Sequence, residues 1–296
     1  VISVEEALEI VSRRGEAAAS DDFLEPESVP LEDSFGRVLR QQVRSDLDSP
    51  PFDRSIRDGF AVKALDLESI PAELAIVGES RAGLSFPGQV GPGECCEIMT
   101  GAEIPAGADA IVMVEDTERL GERSVRVLRK VGVGQSIQAA GSECRRGDLI
   151  LDEGRRIGPS EAGLLAATGH ASVRVSRRPE VAIISTGDEL VGIDAVPGPA
   201  QIRNSNSVTL AAQVAGAGGT PRLLGIARDS ADELGRLVAR GLESDFLITS
   251  GGVSMGKYDL VVSALEAHGV HIEFDRVAMK PGKPTVFGWR EGTFVF

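Results

Sequence analysis

The sequence predicts a multidomain α/β protein with a separate β-rich module, and three observations carry that prediction. After about residue 179, buried-looking apolar strands alternate with amphipathic helical patterns. Between about residues 48 and 143 the chain instead breaks into short β-like runs separated by glycine and proline clusters. The 296 residues, 42% hydrophobic and 26% charged, give length and core enough for roughly two folded domains.

From the N-terminus, Ser3 followed by Glu6 reads as a capping box, and Val4, Ala7, Leu8 and Val11 share one face of a helix. An acidic, turn-rich stretch spans Glu16 to Glu32. Strands are expected at Leu74–Val77, Ala110–Val114 and Val125–Leu128, and a short helix at Pro159–Thr168 with Gly169 at its C′ position. Beyond it, Val181–Ser185, Leu223–Ala227 and Phe246–Thr249 read as buried strands. Ser205–Ala217, Ser230–Glu243 and Tyr258–His268 read as helices, the middle one opened by a capping box of Ser230 and Glu233. The expected result is a three-layer α/β domain on a largely parallel sheet. Ligands of such sheets bind beyond the carboxyl ends of the strands, here the loops that start at Thr186, Arg228 and Ser250.

Composition excludes some functions. Aromatic residues are only 4%, against 35 glycines and 15 prolines, so recognition of bases by aromatic stacking is not expected. With 31 basic and 45 acidic residues the net charge is −14, which repels nucleic acid and anionic membranes; an anionic ligand needs a local basic site. No apolar run reaches the roughly 18 residues of a membrane span, and the N-terminus is an acidic amphipathic stretch, so a cytoplasmic location is expected. Cys95, Cys96 and Cys144 lack metal-ligand spacing and read as structural or incidental.

Four segments hold the chemistry of the C-terminal half. Ser185-Thr186-Gly187-Asp188-Glu189 sets hydroxyls, a glycine and two carboxylates at one strand end. Ser250-Gly251-Gly252-Val253-Ser254 follows another, its glycines suited to turning backbone N–H groups toward an anion, with Asp259 further on. Arg228-Asp229 ends the third strand. Lys280-Pro281-Gly282-Lys283 holds two ammonium groups across a stiff turn, a docking place for a dianion in an acidic chain. Alone, a Gly-Gly turn is ordinarily a turn and a lysine pair a solvated surface; their coincidence on one sheet edge favours a site. In the N-terminal half, Asp58 precedes Gly59 after a proline-stiffened loop, and Thr100 sits in a second turn. Spacing alone leaves Asp58 open to being an ordinary turn residue.

The segments PPFDRSIRDGFAV, IMTGAEIPAGADAIV, ISTGDEL, SGGVSMGKYD and MKPGKP, in this order, resemble the molybdopterin molybdenumtransferases, the MoeA and gephyrin E-domain family. The resemblance covers nearly the whole chain. It implies a MogA-like molybdopterin-binding α/β domain at 179–296, incomplete at its C-terminus. It also implies an inserted β-rich domain at 48–143 and a discontinuous linker and dimerisation region at 1–47 and 144–178. The implied reaction takes adenylylated molybdopterin and molybdate to molybdenum cofactor and AMP with Mg²⁺. The implied assembly is a homodimer with an active cleft shared between subunits, in contact with the adenylyltransferase that supplies the substrate.

Carried over by position, the resemblance gives catalytic roles to Asp58, Thr100, Glu143, Glu189, Asp229, Asp259, Lys280 and Lys283. Substrate contacts fall on Ser185, Thr186, Gly187, Asp188, Ser250, Gly251, Gly252, Ser254, Pro281 and Gly282, and the metal on Asp259 with Asp229 or Glu189. Three departures stand out: Glu97 and Gln138 where the family usually has arginine, and Glu143 in place of aspartate. They imply a less basic cleft. The chain begins at Val1 and stops at Phe296, where the family continues into a Leu-Pro-Gly-Asn-Pro loop and a C-terminal β domain; a fragment that dimerises but lacks turnover is therefore expected. A scaffolding relative with lost turnover, another pterin- or nucleotide-binding chemistry, and tungstate in place of molybdate are the alternatives.

Overall fold

The computed structural model describes residues 1–20, 23–228, 230–251 and 260–296. The chain divides into two compact units. One comprises residues 1–41, 154–159 and 172–296, and the other residues 42–153 and 160–171.

Helix α1 (Val4–Ser20) opens the first unit. Its capping box forms as read: the Glu6 N–H donates to Ser3 Oγ at 3.0 Å and the Ser3 N–H to Glu6 Oε2 at 3.2 Å. The buried stripe, however, is Ala7, Ile10 and Val11, packed on Phe274, Val277 and Phe287, whereas Leu8 is 63% exposed. The stripe continues into Arg14, whose guanidinium lies 4.6 Å from the Trp289 ring centroid and pairs with Glu273. Those partners lie about 260 residues away along the chain, and helical spacing alone could not choose the face.

The second unit is built on six strands, β1 (Gly59–Val62), β2 (Ala72–Ser80), β3 (Glu94–Ile98), β4 (Ala110–Met113), β5 (Thr117–Arg119) and β6 (Ser124–Val127). Their order is β4-β1-β3-β2-β6-β5, antiparallel except for β2 with β3. Phe60, Val62, Leu74, Val112, Val125 and Val127 fill one core, which apart from Phe60 is aliphatic, as the low aromatic content implies. Strand β2 runs past the expected Leu74–Val77, because Gly78 leaves space for the Phe86 ring, 2.2 Å from where a Cβ would stand. Cys95 and Cys96 are free and buried, their thiols pushed up by desolvation to about 12 and about 11, which keeps them unreactive. Helix α2 (Pro159–Ala167) follows, and Gly169 at φ +78° ends its last turn as expected.

The α/β part of the first unit comprises β7 (Glu180–Thr186), α3 (Ser205–Ala217), β8 (Thr220–Ala227), α4 (Ala231–Gly241), β9 (Phe246–Ser250) and α5 (Leu260–Ala267). It ends with β10 (His271–Arg276), β11 (Pro284–Arg290) and β12 (Thr293–Val295). The sheet order is β8-β7-β9-β12-β11-β10, with β8, β7, β9 and β12 parallel and β11 antiparallel to both its neighbours. Along β7, Val181 and Ile183 face the core under α3, while Ala182 and Ile184 face the core under α4 and α5, so the period-two alternation divides two helix layers. Strand β7 is buried on both faces, as expected. Strand β8 corrects the reading of a buried strand: it forms the sheet edge, and Leu223 is 53% exposed.

The expected capping box on α4 does not form. Ser230 makes no side-chain cap, and the Glu233 carboxylate accepts instead from the Arg228 N–H at 3.4 Å. The Ser230 N–H donates to the Arg228 carbonyl at 2.6 Å.

Candidate active site

Strand order β8-β7-β9 places a topological switch point between the carboxyl ends of β7 and β9, because the chain leaves β7 for β8 on one side and returns to β9 on the other. The segments Ser185–Glu189 and Ser250–Gly251 meet there. Gly251, at φ +98°, passes so close to β7 that a Cβ would stand 2.4 Å from the Thr186 carbonyl oxygen and 2.9 Å from Thr186 Oγ1. Glycine is required at that point. Thr186 is 5% exposed, and its hydroxyl has no hydrogen-bond partner among the described residues. A buried, unsatisfied hydroxyl costs stability unless a ligand completes it.

The Ser185 hydroxyl is committed to structure, meeting Asn204 Oδ1 at 3.1 Å, and the same Asn204 oxygen caps α3 by accepting from the Ser207 N–H. Asn206 Nδ2 donates to Ser250 Oγ at 3.3 Å, so the first turn of α3 braces the switch point. Gly187 lies buried at φ +145°, and the Glu189 carboxylate folds back over it, 2.4 Å from where a Cβ would be. Arg228 Nη1 donates to the carbonyl of Asp188 at 2.8 Å and holds the loop down. Arg228 is legible in the sequence only as the start of a ligand loop, while Asn204 and Asn206 are not singled out there, since each acts through a partner on another element. The N-cap position of Asn204 before α3 was the one available signal.

Lys280, Pro281, Gly282 and Lys283 form the exposed loop after β10, closed by the Val277 N–H donating to the Lys283 carbonyl at 2.9 Å. Strand β10 runs in the same direction as β9, so this loop emerges at the same sheet edge as Thr186 and Ser250. It stands three strand positions from β9, a lateral distance of about 14 Å at sheet spacing. Asp229, Gly252, Ser254 and Asp259 lie outside the described residues. Among the described residues no three histidine, cysteine or acidic side chains converge as a metal site.

The second unit carries a separate cluster. Gly59 lets β1 approach β4 so closely that a Cβ would be 1.9 Å from the Val112 carbonyl oxygen, and this fixes the preceding Asp58. Asp58 Oδ1 accepts from the Thr100 N–H at 2.7 Å and from Thr100 Oγ1 at 2.9 Å. First the backbone donor and then the hydroxyl hold the Asp58 carboxyl below the ordinary aspartate range. Thr100 is placed by the turn that follows β3, where the Gly101 N–H donates to the Ser55 carbonyl at 2.7 Å.

Glu143 lies in the same unit. It accepts from Ser49 Oγ at 2.7 Å, from Gln138 Nε2 at 3.1 Å and from Arg54 Nη2 at 3.0 Å. These donors, the Ser49 hydroxyl foremost, lower its carboxyl below the ordinary glutamate range. Of the departures, Glu97 is paired with Arg119, both oxygens 3.1 Å from Nη1, and Gln138 lies against Arg54 Nε at 2.9 Å.

A doubly wound domain with a buried, unpartnered hydroxyl at its switch point, linked in sequence to a β-rich unit with fixed carboxylates, defines the class as a two-unit α/β protein. The model of the MoeA N-terminal region (domain I and II) matches residues 2–169, and that of a probable molybdopterin binding domain matches residues 182–294. The chain belongs to the MoeA family. It is 39% identical over 280 residues to the molybdopterin molybdenumtransferase of Bacillus subtilis, covering 92% of this chain and 65% of that protein. It is 38% identical over 269 residues to the Nostoc protein of the same name, covering 89% of this chain and 62% of that one. The chain thus spans somewhat less than two thirds of the length of these relatives. A crystal structure of the molybdopterin biosynthesis MoeA protein of Pyrococcus horikoshii superposes with a TM-score of 0.78 at 33% identity, covering all of this chain and 74% of that one.

Proposed function

We propose that this chain carries the active centre of a molybdopterin molybdenumtransferase, which exchanges the adenylyl group of adenylylated molybdopterin for molybdate and releases AMP. The observation that carries this reading is the buried Thr186 hydroxyl without a partner, set under Gly251 at the switch point of a domain whose family model is that of a molybdopterin binder.

In this reading Thr186, Ser250 and the backbone at Gly251 receive phosphate oxygens of the substrate. The exposed Lys280 and Lys283 gather molybdate at the same sheet edge through charge attraction. Asp58, held ionised by Thr100, and Glu143, held ionised by Ser49, Gln138 and Arg54, orient donor groups of the pterin. The oxygen-only donors at the β7 end suit Mg²⁺, with Glu189 as the candidate ligand among the described residues and Asp229 and Asp259 as the candidates that the family resemblance adds. Bound there, Mg²⁺ would neutralise charge on the leaving phosphate. The reading includes a cytoplasmic homodimer and contact with the adenylyltransferase that supplies the substrate.

Glu97 and Gln138, the features that favoured a scaffolding relative, each stand against an arginine from another strand, so neither change leaves its face without a cation. The test is to incubate the full-length protein with adenylylated molybdopterin, molybdate and Mg²⁺ and to measure metal-loaded cofactor. Cofactor forming at the background rate would refute the assignment.

A further inference from the structure

Arg54 and Gln138 are direct partners in the short antiparallel ladder of Arg54–Ser55 with Ile137–Gln138. Residues opposed in this way project to the same face, with Cβ atoms about 5 Å apart. Arg54 Nε donates to Gln138 Oε1 at 2.9 Å and Nη2 to Glu143 Oε1 at 3.0 Å, while Gln138 Nε2 meets the same carboxylate oxygen at 3.1 Å. Three side chains thus close a ring that fixes the guanidinium plane.

The ring uses one edge of the guanidinium. A guanidinium has five N–H donors; the ring uses Nε–H and one Nη2–H, and Nη1 has no hydrogen-bond partner among the described residues, so Nη1 and the second Nη2 hydrogen form a terminal edge open to a ligand on a side chain that is 34% exposed. That edge is a planar fork whose spacing matches two oxygens of a phosphate. On the other flank, Ser55 is hydrogen-bonded to Gly101 and Ala102, so the same two-residue strand connects this fork to the Thr100 turn and to Asp58. Asp58 and Glu143 are both held as carboxylates, so a phosphate approaching them needs a fixed cation.

We propose that Arg54 binds a phosphate oxygen of the nucleotide-bearing substrate through its terminal edge, with Gln138 and Glu143 as the side chains that aim it. The inference rests on the transferase reading and adds a residue and a ligand group to it. It also accounts for glutamine at position 138: the cation of this face stands across the ladder, at 54.

The experiment compares full-length wild type with Arg54→Gln and with the transposed double variant Arg54→Gln/Gln138→Arg. Loss of a charge-assisted contact should raise the KM for adenylylated molybdopterin about ten- to a hundred-fold in Arg54→Gln. The transposed variant, which returns a guanidinium to the same ladder face, should recover most of that loss. The wild-type KM should also climb more steeply with salt than that of Arg54→Gln. An unchanged KM in Arg54→Gln, or a lower kcat and melting temperature at unchanged KM, would overturn the proposal and make Arg54 a structural brace. If wild type shows no turnover, the transferase reading fails, and calorimetric AMP affinity then decides Arg54. A ten-fold or greater loss in Arg54→Gln supports the contact, and equal affinity rejects it.

Discussion

Gly251 stands against Thr186 so closely that a Cβ on the glycine would lie 2.4 Å from the threonine carbonyl oxygen. This contact joins the ends of β7 and β9 and sets the shape of the switch point. Gly251→Ala adds a backbone clash to a positive φ, and should cost roughly 2–4 kcal/mol. Urea unfolding measures it. A loss below about 0.5 kcal/mol would mean the two strand ends separate freely.

Thr186→Val removes a buried hydroxyl that has no partner among the described residues. Stability should stay level or rise by about 1 kcal/mol, while AMP affinity falls. Calorimetry and unfolding on the same sample separate the two effects. A variant that loses stability but keeps its AMP affinity would show that the hydroxyl serves the fold.

Much of this centre is legible in the residues, and the limits of legibility have physical causes. Local chemistry was readable: the Ser3 and Glu6 reciprocal cap, Gly169 at a helix end, and three parallel strands whose carboxyl ends gather the Thr186 and Ser250 loops. Competition between near neighbours for one acceptor, and interactions between distant segments, were not. Ser230 and Glu233 have the spacing of a cap, yet Glu233 finds the Arg228 N–H, and Leu223 lies open because β8 is an edge that no local pattern distinguishes. Arg228, Asn204 and Asn206 gain their meaning from loops that only the fold brings near.

Asp58 owes its low pKa first to the Thr100 backbone N–H and second to the Thr100 hydroxyl. Thr100→Val removes only the second, so the Asp58 pKa should rise while staying below the ordinary aspartate value of 3.8. Because the folded-state value is depressed, the Asp58 contribution to stability is present above the unfolded pKa and lost as pH falls through the folded one. In Thr100→Val that loss should be smaller and be complete at a higher pH, because only the folded-state value moves. A carboxyl carbon titration by NMR gives the values, and an identical titration in both proteins would remove the hydroxyl from the account.

Lys280 and Lys283 are exposed, so their attraction for an oxyanion is screened by solvent. The double variant Lys280→Ala/Lys283→Ala should raise half-saturating molybdate about five- to ten-fold at low salt, a difference that shrinks sharply toward 0.5 M salt. Turnover measured across a molybdate series at two ionic strengths tests this. A salt-independent loss would place the lysines in a desolvated contact, and no loss would leave them as surface charges.

If the chain works as proposed, release of AMP is coupled to insertion of molybdate, and the stoichiometry of the two decides it. Full-length protein given adenylylated molybdopterin and Mg²⁺ should release AMP slowly without oxyanion and rapidly with molybdate, one AMP for each metal-loaded cofactor. AMP released at the same rate with and without molybdate, with no metal in the product, would contradict the account and leave a simple hydrolase of the adenylylated pterin.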